Sequence, residues 1–464
     1  MTEDVYDVVV IGGGPVGENA ADRAVRGGLK TALVDHERFG GECSFWACIP
    51  SKALLRPGNA LAAARRLPGV PVGDALDPVA VFERRDAFTH KGDDSSQVDW
   101  AQGAGIETVR GHARITGERT VTVDDDRVLR ATHAVVVCSG SVPRFPDIPG
   151  LSDAPTWTSR DATSASEVPG RLAVLGGGVV GVEMAQAWAR LGSEVHLIVT
   201  GPRPLPRYPD FAGDAVVAGL RANGVTVHLN SGLVKTTTAE AAVLLELTDG
   251  QTLTADRLLV ATGRRPATED LGLDTIGLKP GAALTVDDTG QVSEVDAGWL
   301  YAAGDVTGRA PLTHQGKYAA RAIGDVIAAR AAGRQVDTTP WSGFTSTADH
   351  YAVPQVVFTD PEVASVGLAA PVEGRPHRVV DIDIAVAGSA LHADDYAGKA
   401  RIVVDTDREV LVGVTFVGQD VADLLHAATI AIVGEVPLRR LWHAVPAFPT
   451  ISEVWLRLLE TYGL

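Results

Sequence analysis

Two stretches of this chain are near-copies in pattern, and together they fix most of what it can fold into. VVVIGGGPVGENAADRAVRGGLKTALVD ends at Asp35, and LAVLGGGVVGVEMAQAWARLGSEVHLIV ends at Val199; they align without gaps. Each opens on a continuous apolar run, as suits a strand buried on both faces. A glycine turn follows, then apolar residues at helical spacing, then a second strand-like run. This is the opening of a dinucleotide-binding βαβ unit. Gly12, Gly14 and Gly17 fit G-x-G-x-x-G in the first copy; Gly176, Gly178 and Gly181 fit it in the second. The first glycine permits the tight turn, the second lets backbone approach a pyrophosphate, and the third lets helix pack closely on strand. The helix N-terminus then favours negative charge. A glycine-rich turn without a ligand accounts for one match alone. Two matches in full context predict two separate Rossmann-type domains, not a solenoid repeat.

The residue closing each copy separates the two sites. Asp35 stands where a carboxylate bonds the hydroxyls of an adenosine ribose. Val199 holds that place in the second copy and offers no carboxylate. Thr200, Gly201, Arg203 and Arg207 follow it, and the arginines suit a 2′-phosphate. NADPH is therefore the expected nicotinamide cofactor, with NADH possible. The competing reading is that these arginines are merely solvated.

Further along, HAVVVCSG (133–140), RLLVATG (257–263) and WLYAAGDVTG (299–308) read as late buried strands. From about residue 341 the pattern changes. Strand-like runs such as VPQVVFTD and KARIVVDTD alternate with turns, and helices are predicted near 418–434 and 451–461. The fold class is therefore α/β, with two Rossmann-type domains and an α+β C-terminal domain.

GGECSFWACIPSK, residues 40–52, carries the most specific chemistry. Cys43 and Cys48 stand at i and i+5. On an ideal helix such Cα atoms lie roughly 8–9 Å apart by helix geometry, whereas a disulfide needs less than about 7 Å. A disulfide here requires a helix that is distorted or only starting. Pro50 fits an early helical turn, and a helix N-terminus near Cys48 favours its thiolate. The alternative is two buried thiols.

Charge and targeting exclude several function classes. The net charge is -17, which disfavours nucleic acid or an anionic membrane as partner. The N-terminus lacks a signal-peptide pattern, and no apolar run reaches membrane-spanning length, so a cytoplasmic protein is expected. With 3 cysteines there is no secreted disulfide framework. In a reducing compartment a disulfide is catalytic more often than structural.

The run G-G-x-C-x-x-x-x-C-x-P-S-K, Gly40 to Lys52, resembles the flavoprotein disulfide reductases: dihydrolipoamide dehydrogenase, glutathione reductase and mercuric reductase. VATGRRP (260–266), AAGDVTG (302–308), FTDPEVASVG (358–367) and PTISE (449–453) extend the resemblance over essentially the whole chain. It implies that residues 1–148 and 268–340 bind FAD, with Asp35 on its ribose and Gly304 and Asp305 at the ribityl chain. Residues 149–267 would bind the nicotinamide cofactor, Gly263 included. Residues 341–464 would form a homodimer and contribute to the partner's active site. Cys48 would lie next to the flavin and Cys43 would attack the substrate, a small-molecule electron acceptor. Lys52 would sit near flavin N5 and pair with Glu183. Electrons would pass from NAD(P)H to FAD, to the Cys43–Cys48 disulfide, and on to the acceptor.

The departures are informative. Cys138 replaces a threonine common in relatives and reads as a small core residue rather than a third redox centre. No cysteine pair ends the chain, which argues against mercuric reductase. Phe448 stands where dithiol-handling relatives carry histidine, although the acidic partner is present as Glu453. His443 does not match the family position, and His314, in PLTHQG, is as easily structural as flavin-adjacent. The altered pair points to an unusual acceptor: a quinone, a metal ion or a carbon–sulfur bond. Ketopropyl-coenzyme M oxidoreductase/carboxylase is similar in carrying phenylalanine at that position, but differs by a histidine where this chain has Glu453. A redox-responsive binding protein that holds FAD and hardly turns over is the rival reading. Retention of Lys52, Glu183 and both cysteines argues against it.

Overall fold

The computed structural model describes residues 2–239 and 242–464. The chain divides into two compact units. One comprises Met1–Ile49, Asp86–Arg144 and Arg264–His350; the other comprises Pro50–Arg85, Phe145–Gly263 and Tyr351–Leu464.

In the first unit, seven strands of the described residues form one sheet. The order is Glu107–Arg110, Thr31–Asp35, Thr2–Ile11, Arg127–Val137, Thr120–Val123, Ala113–Gly117, with Leu300–Ala302 also pairing Arg127–Val137. The strands flanking Thr2–Ile11 run parallel to it. A parallel strand has helices or loops over both faces, so consecutive residues must be apolar. Val8, Val9 and Val10 are accordingly all 0% exposed. Alternate residues feed different cores, as the two-residue period of a strand demands. Val8 and Val10 pack with Ala20, Ala24, Ile323 and Ile327 of two helices, Pro15–Arg26 and Thr313–Ala331. Val9 and Ile11 pack with Val121, Leu129 and Trp299 on the other side. The antiparallel hairpin Ala113–Val123 was not foreseen in the sequence.

The second unit holds the other Rossmann-type sheet, all parallel, in the order Thr226–His228, Glu194–Ile198, Arg171–Leu175, Arg257–Val260, Thr156–Trp157. Its helix Val179–Arg190 buries Met184 and Trp188 almost completely. The C-terminal part is a five-stranded antiparallel sheet, ordered Pro354–Val357, Glu362–Gly367, Val410–Gly418, Lys399–Asp405, His377–Asp383. Helices Leu425–Val433 and Val454–Tyr462 pack on it. The expected α+β character is there. The helices start later than the sequence pattern predicts because short 3₁₀ turns, Val421–Leu424 and Ile451–Glu453, precede each. Among the described residues, no helix is long and apolar enough to cross a membrane.

Candidate active site

The first glycine turn is closed on the sheet side and open on the other. Gly12 has φ +108°, and a Cβ there would lie 2.3 Å from the Cys138 carbonyl oxygen. A Cβ on Gly17 would lie 1.9 Å from the Gly12 oxygen, so helix and strand touch through glycine alone. Gly14 caps the Pro15–Arg26 helix without a side-chain cap, and a Cβ on it would meet only Gly41, at 3.9 Å. Free amides at an open helix N-terminus suit an anion. Asp35, at the end of its strand, is fixed by two backbone amides: Oδ2 accepts from Gly13 at 2.7 Å and Oδ1 from Glu37 at 2.8 Å. These features fit the pyrophosphate and ribose of a dinucleotide.

Asp305 follows Gly304, whose φ is +81°. Ser141 Oγ donates to Asp305 Oδ2 at 2.6 Å, and Arg264 Nε donates to Ser141 Oγ at 2.7 Å. Glu18, one residue past the third glycine, escaped the sequence reading. Its Oε1 is buried without a hydrogen-bond partner. Burial pushes this carboxyl up to about 7, against the pull of Lys317 and with a further push from Asp35. An orphaned acceptor beside the cradle suits a ligand that brings hydroxyl groups.

The second cradle repeats the first in the other unit. Gly176 has φ +116°, a Cβ on Gly181 would lie 1.9 Å from the Gly176 oxygen, and Gly178 caps its helix with nothing within 4 Å of an added Cβ. Val199 Cγ1 lies 2.9 Å from where a Gly177 Cβ would sit, just as Asp35 Cβ lies 2.9 Å from that of Gly13. Valine thus takes the carboxylate's place, and it is buried. Arg203 is already committed: Nε donates to Asp214 at 2.7 Å, and Nη1 lies 3.2 Å from Asp210. Arg207 is exposed and lies outside the ion pairs of the described residues. Gly263, at φ +116°, has open space around its Cβ direction.

Between the cysteines the helix breaks, as the spacing requires. Cys43 sits in the short helix Gly41–Phe45, Trp46 leaves helical geometry at φ -136°, ψ -4°, and Cys48 begins the helix Cys48–Arg65. Arg38 stacks over the Trp46 ring at 4.8 Å and braces the break. Both sulfurs are thiols here. Cys48 Sγ lies 3.3 Å from the Thr313 hydroxyl. The Cys43 thiol is raised far above the ordinary thiol range, first by its hydrogen bond to Cys48, then by burial and by the Cys48 charge; Thr313 and the Cys48 amide oppose. Cys43 therefore donates in this pair and keeps its proton, and Cys48 accepts. Thr313 is the first residue of the helix Thr313–Ala331, whose dipole favours an anion there. The motif PLTHQG drew attention to His314; the residue at the sulfurs is Thr313, and His314 is exposed.

Lys52 and Glu183 are brought together in the second unit. Lys52 Nζ donates to Glu183 Oε2 at 2.8 Å, and the Glu183 side chain is 3% exposed. Phe448 is 75% exposed, within an exposed stretch that includes His443. Glu453 is buried; its Oε1 accepts from Arg457 at 2.6 Å, and its Oε2 has no hydrogen-bond partner. Cys138 is buried, and burial pushes its thiol up to about 12, which makes it an inert core residue. Among the described residues, no group of three or more His, Cys, Asp or Glu is placed to hold a metal ion.

Comparison with known proteins agrees with this arrangement. Residues 6–333 match the pyridine nucleotide-disulphide oxidoreductase family, and residues 353–458 match the dimerisation domain of the same enzymes. The chain is 33% identical to a dihydrolipoyl dehydrogenase of Chlorobaculum tepidum, covering 97% of this chain and 95% of that protein. It is 29% identical to a mercuric reductase of Staphylococcus aureus, covering 97% and 81%. The HOCl-induced flavoprotein disulfide reductase RclA of Escherichia coli has the same fold, with TM-score 0.82 at 24% identity over 98% and 99% of the two chains. The chain belongs to the pyridine nucleotide-disulphide oxidoreductases, flavoproteins that take electrons from NAD(P)H through FAD.

Proposed function

We propose that this enzyme passes electrons from NADPH through FAD to the Cys43–Cys48 pair and then to an acceptor that needs no histidine acid. The hydrogen-bonded pair Cys43–Cys48, with Thr313 at its edge, carries this reading. Residues 1–148 and 268–340 hold FAD, with Asp35 on the ribose and Asp305 at the ribityl chain. Residues 149–267 take the nicotinamide nucleotide at Gly176, Gly178, Gly181 and Gly263. Residues 341–464 join two copies, so that Phe448 of the partner subunit faces Cys43. The compartment is the cytoplasm.

FAD, held by the Gly12–Gly17 turn, Asp35 and Asp305, would supply the two-electron relay between nicotinamide and disulfide. The protein's own atoms do the rest. Two electrons and one proton convert the disulfide into a Cys48 thiolate and a Cys43 thiol. Thr313 and the helix start at Cys48 stabilise the thiolate. As Cys43 attacks, its proton goes to the acceptor or to water, and the pair closes again to the disulfide as the acceptor leaves with both electrons. Lys52, held by Glu183, steadies charge beside the flavin.

Phe448 decides the acceptor class. A disulfide substrate releases a thiolate that must be protonated, and phenylalanine has no proton to give. A quinone, a metal ion or a carbon–sulfur bond suits this site better. Steady-state NADPH oxidation against lipoamide, glutathione disulfide, naphthoquinones, Cu(II) and Hg(II) tests the point. Efficient turnover of lipoamide or glutathione disulfide, with the others inert, would refute it.

NADPH is expected to exceed NADH in catalytic efficiency by about one to two decades, the effect of one charge-assisted arginine–phosphate contact. Arg207 supplies that contact, because Arg203 is neutralised by Asp210 and Asp214. Arg207→Ala should remove most of the preference and Arg203→Ala little of it. Equal efficiencies for the two nucleotides in the wild type would contradict the assignment.

A further inference from the structure

A polar seam runs through the second unit beneath Lys52. The Cys48–Arg65 helix presents Lys52 and Asn59 at heptad spacing, and Arg66 continues the line. The Val179–Arg190 helix presents Glu183, Gln186 and Arg190 along one face. Residues 358–360 of the FTDPE segment lie between them. Glu183 Oε1 accepts from the Phe358 amide at 2.9 Å, and Gln186 Oε1 accepts from the Asp360 amide at 2.8 Å. Asn59 Nδ2 donates to the Phe358 carbonyl at 3.4 Å. Arg66 and Arg190 both donate to the Asp360 carboxylate, at 2.7 and 2.8 Å. The Phe358 ring covers the Lys52 ammonium, with Nζ 4.9 Å from its centroid.

Lys52 is thus held from two sides by one residue. The Phe358 main chain fixes the carboxylate that pairs with Lys52, and the Phe358 side chain caps the ammonium itself. A lysine has a long flexible stem and a point charge, so a single ion pair restrains it poorly. A ring face adds a second, directional restraint on the same charge.

We propose that Phe358 is a positioning residue for Lys52, fixing the ammonium through its ring and its amide at once. This rests on the reading that Lys52 acts beside the flavin. The charged groups facing Lys52 are few. Glu183 comes from the Val179–Arg190 helix, Tyr208 lies within reach of the Glu183 charge, and Asp360 is neutralised by Arg66 and Arg190.

Phe358→Leu separates ring from amide, because the backbone N–H to Glu183 stays. Stopped-flow reduction of FAD by NADPH in the holoenzyme should slow about fivefold, the size expected for one partly exposed cation–π contact. FAD content and unfolding midpoint should hold, and Phe358→Tyr should restore the rate. A merely structural role would lower FAD content or midpoint, or leave Phe358→Tyr as slow as Phe358→Leu, which would overturn the proposal. So would Phe358→Leu with the wild-type rate, provided Lys52→Met shows a slow rate. If Lys52→Met also matches wild type, the reading of Lys52 fails first, and the role of Phe358 falls with it.

Discussion

Phe448→His is expected to raise turnover on lipoamide or glutathione disulfide by a factor of about 10²–10⁴, the usual contribution of a positioned acid–base group. An imidazole has a reference pKa of about 6.5, so it both gives and takes protons near neutrality. On the proposed reading Glu453 is the acidic partner such an imidazole would use; it is buried with Oε2 unpartnered, while Arg457 takes Oε1. Phe448 is also 75% exposed in the chain, so the larger change is chemical and not one of packing. The gain should fall entirely in the second half-reaction, with FAD reduction by NADPH unchanged in stopped flow. A variant no faster than wild type on disulfides would show that the proton comes from elsewhere.

Asp360→Ala is expected to destabilise the protein by about 3–5 kcal/mol, the cost of leaving a buried charge without its partner. The charge is Arg190, whose side chain is 10% exposed. Burial pulls its guanidinium below the ordinary arginine range, and Asp360 is the chief group opposing that pull. The carboxylate also receives Arg66, but the Arg66 side chain is 34% exposed and regains water when released. Arg66→Ala should therefore cost no more than about 1 kcal/mol. Urea unfolding followed by tryptophan fluorescence, on both variants with FAD bound, makes the comparison. Equal losses for Asp360→Ala and Arg66→Ala would mean that burial of Arg190 does not set the scale.

Much of this site is legible in the sequence because its signals are local. The glycine turns need backbone freedom at fixed offsets, and Gly12, Gly17, Gly176 and Gly181 stand where added Cβ atoms collide with carbonyl oxygens. The Cys43–Cys48 spacing conflicts with an unbroken helix, and the chain breaks at Trp46. Features made by residues far apart in sequence were not readable from spacing, and the Lys52–Glu183 pair was legible only through the family resemblance. The seam joining Asn59, Gln186 and Asp360 exists only once three segments pack. Thr313 reaches Cys48 from a helix far along the chain. The pairing of Arg203 with Asp210 and Asp214 was not readable either, because those carboxylates lie on a following helix whose facing cannot be told from spacing alone. Glu18 carries no signal in the sequence, and only the packed unit shows its buried, unpartnered oxygen.

The division of labour between the two cysteines is the central claim, and anaerobic absorption spectroscopy of their serine variants tests it most directly. On the proposed assignment, Cys43→Ser would leave Cys48 as a thiolate beside the flavin with no disulfide to form. It should show a long-wavelength thiolate-to-flavin charge-transfer band without any reductant. Wild type should show that band only after about two electrons, the stoichiometry of one disulfide. Cys48→Ser should show none under either condition. A band that persists in Cys48→Ser and is missing from Cys43→Ser would reverse the assignment and contradict the account.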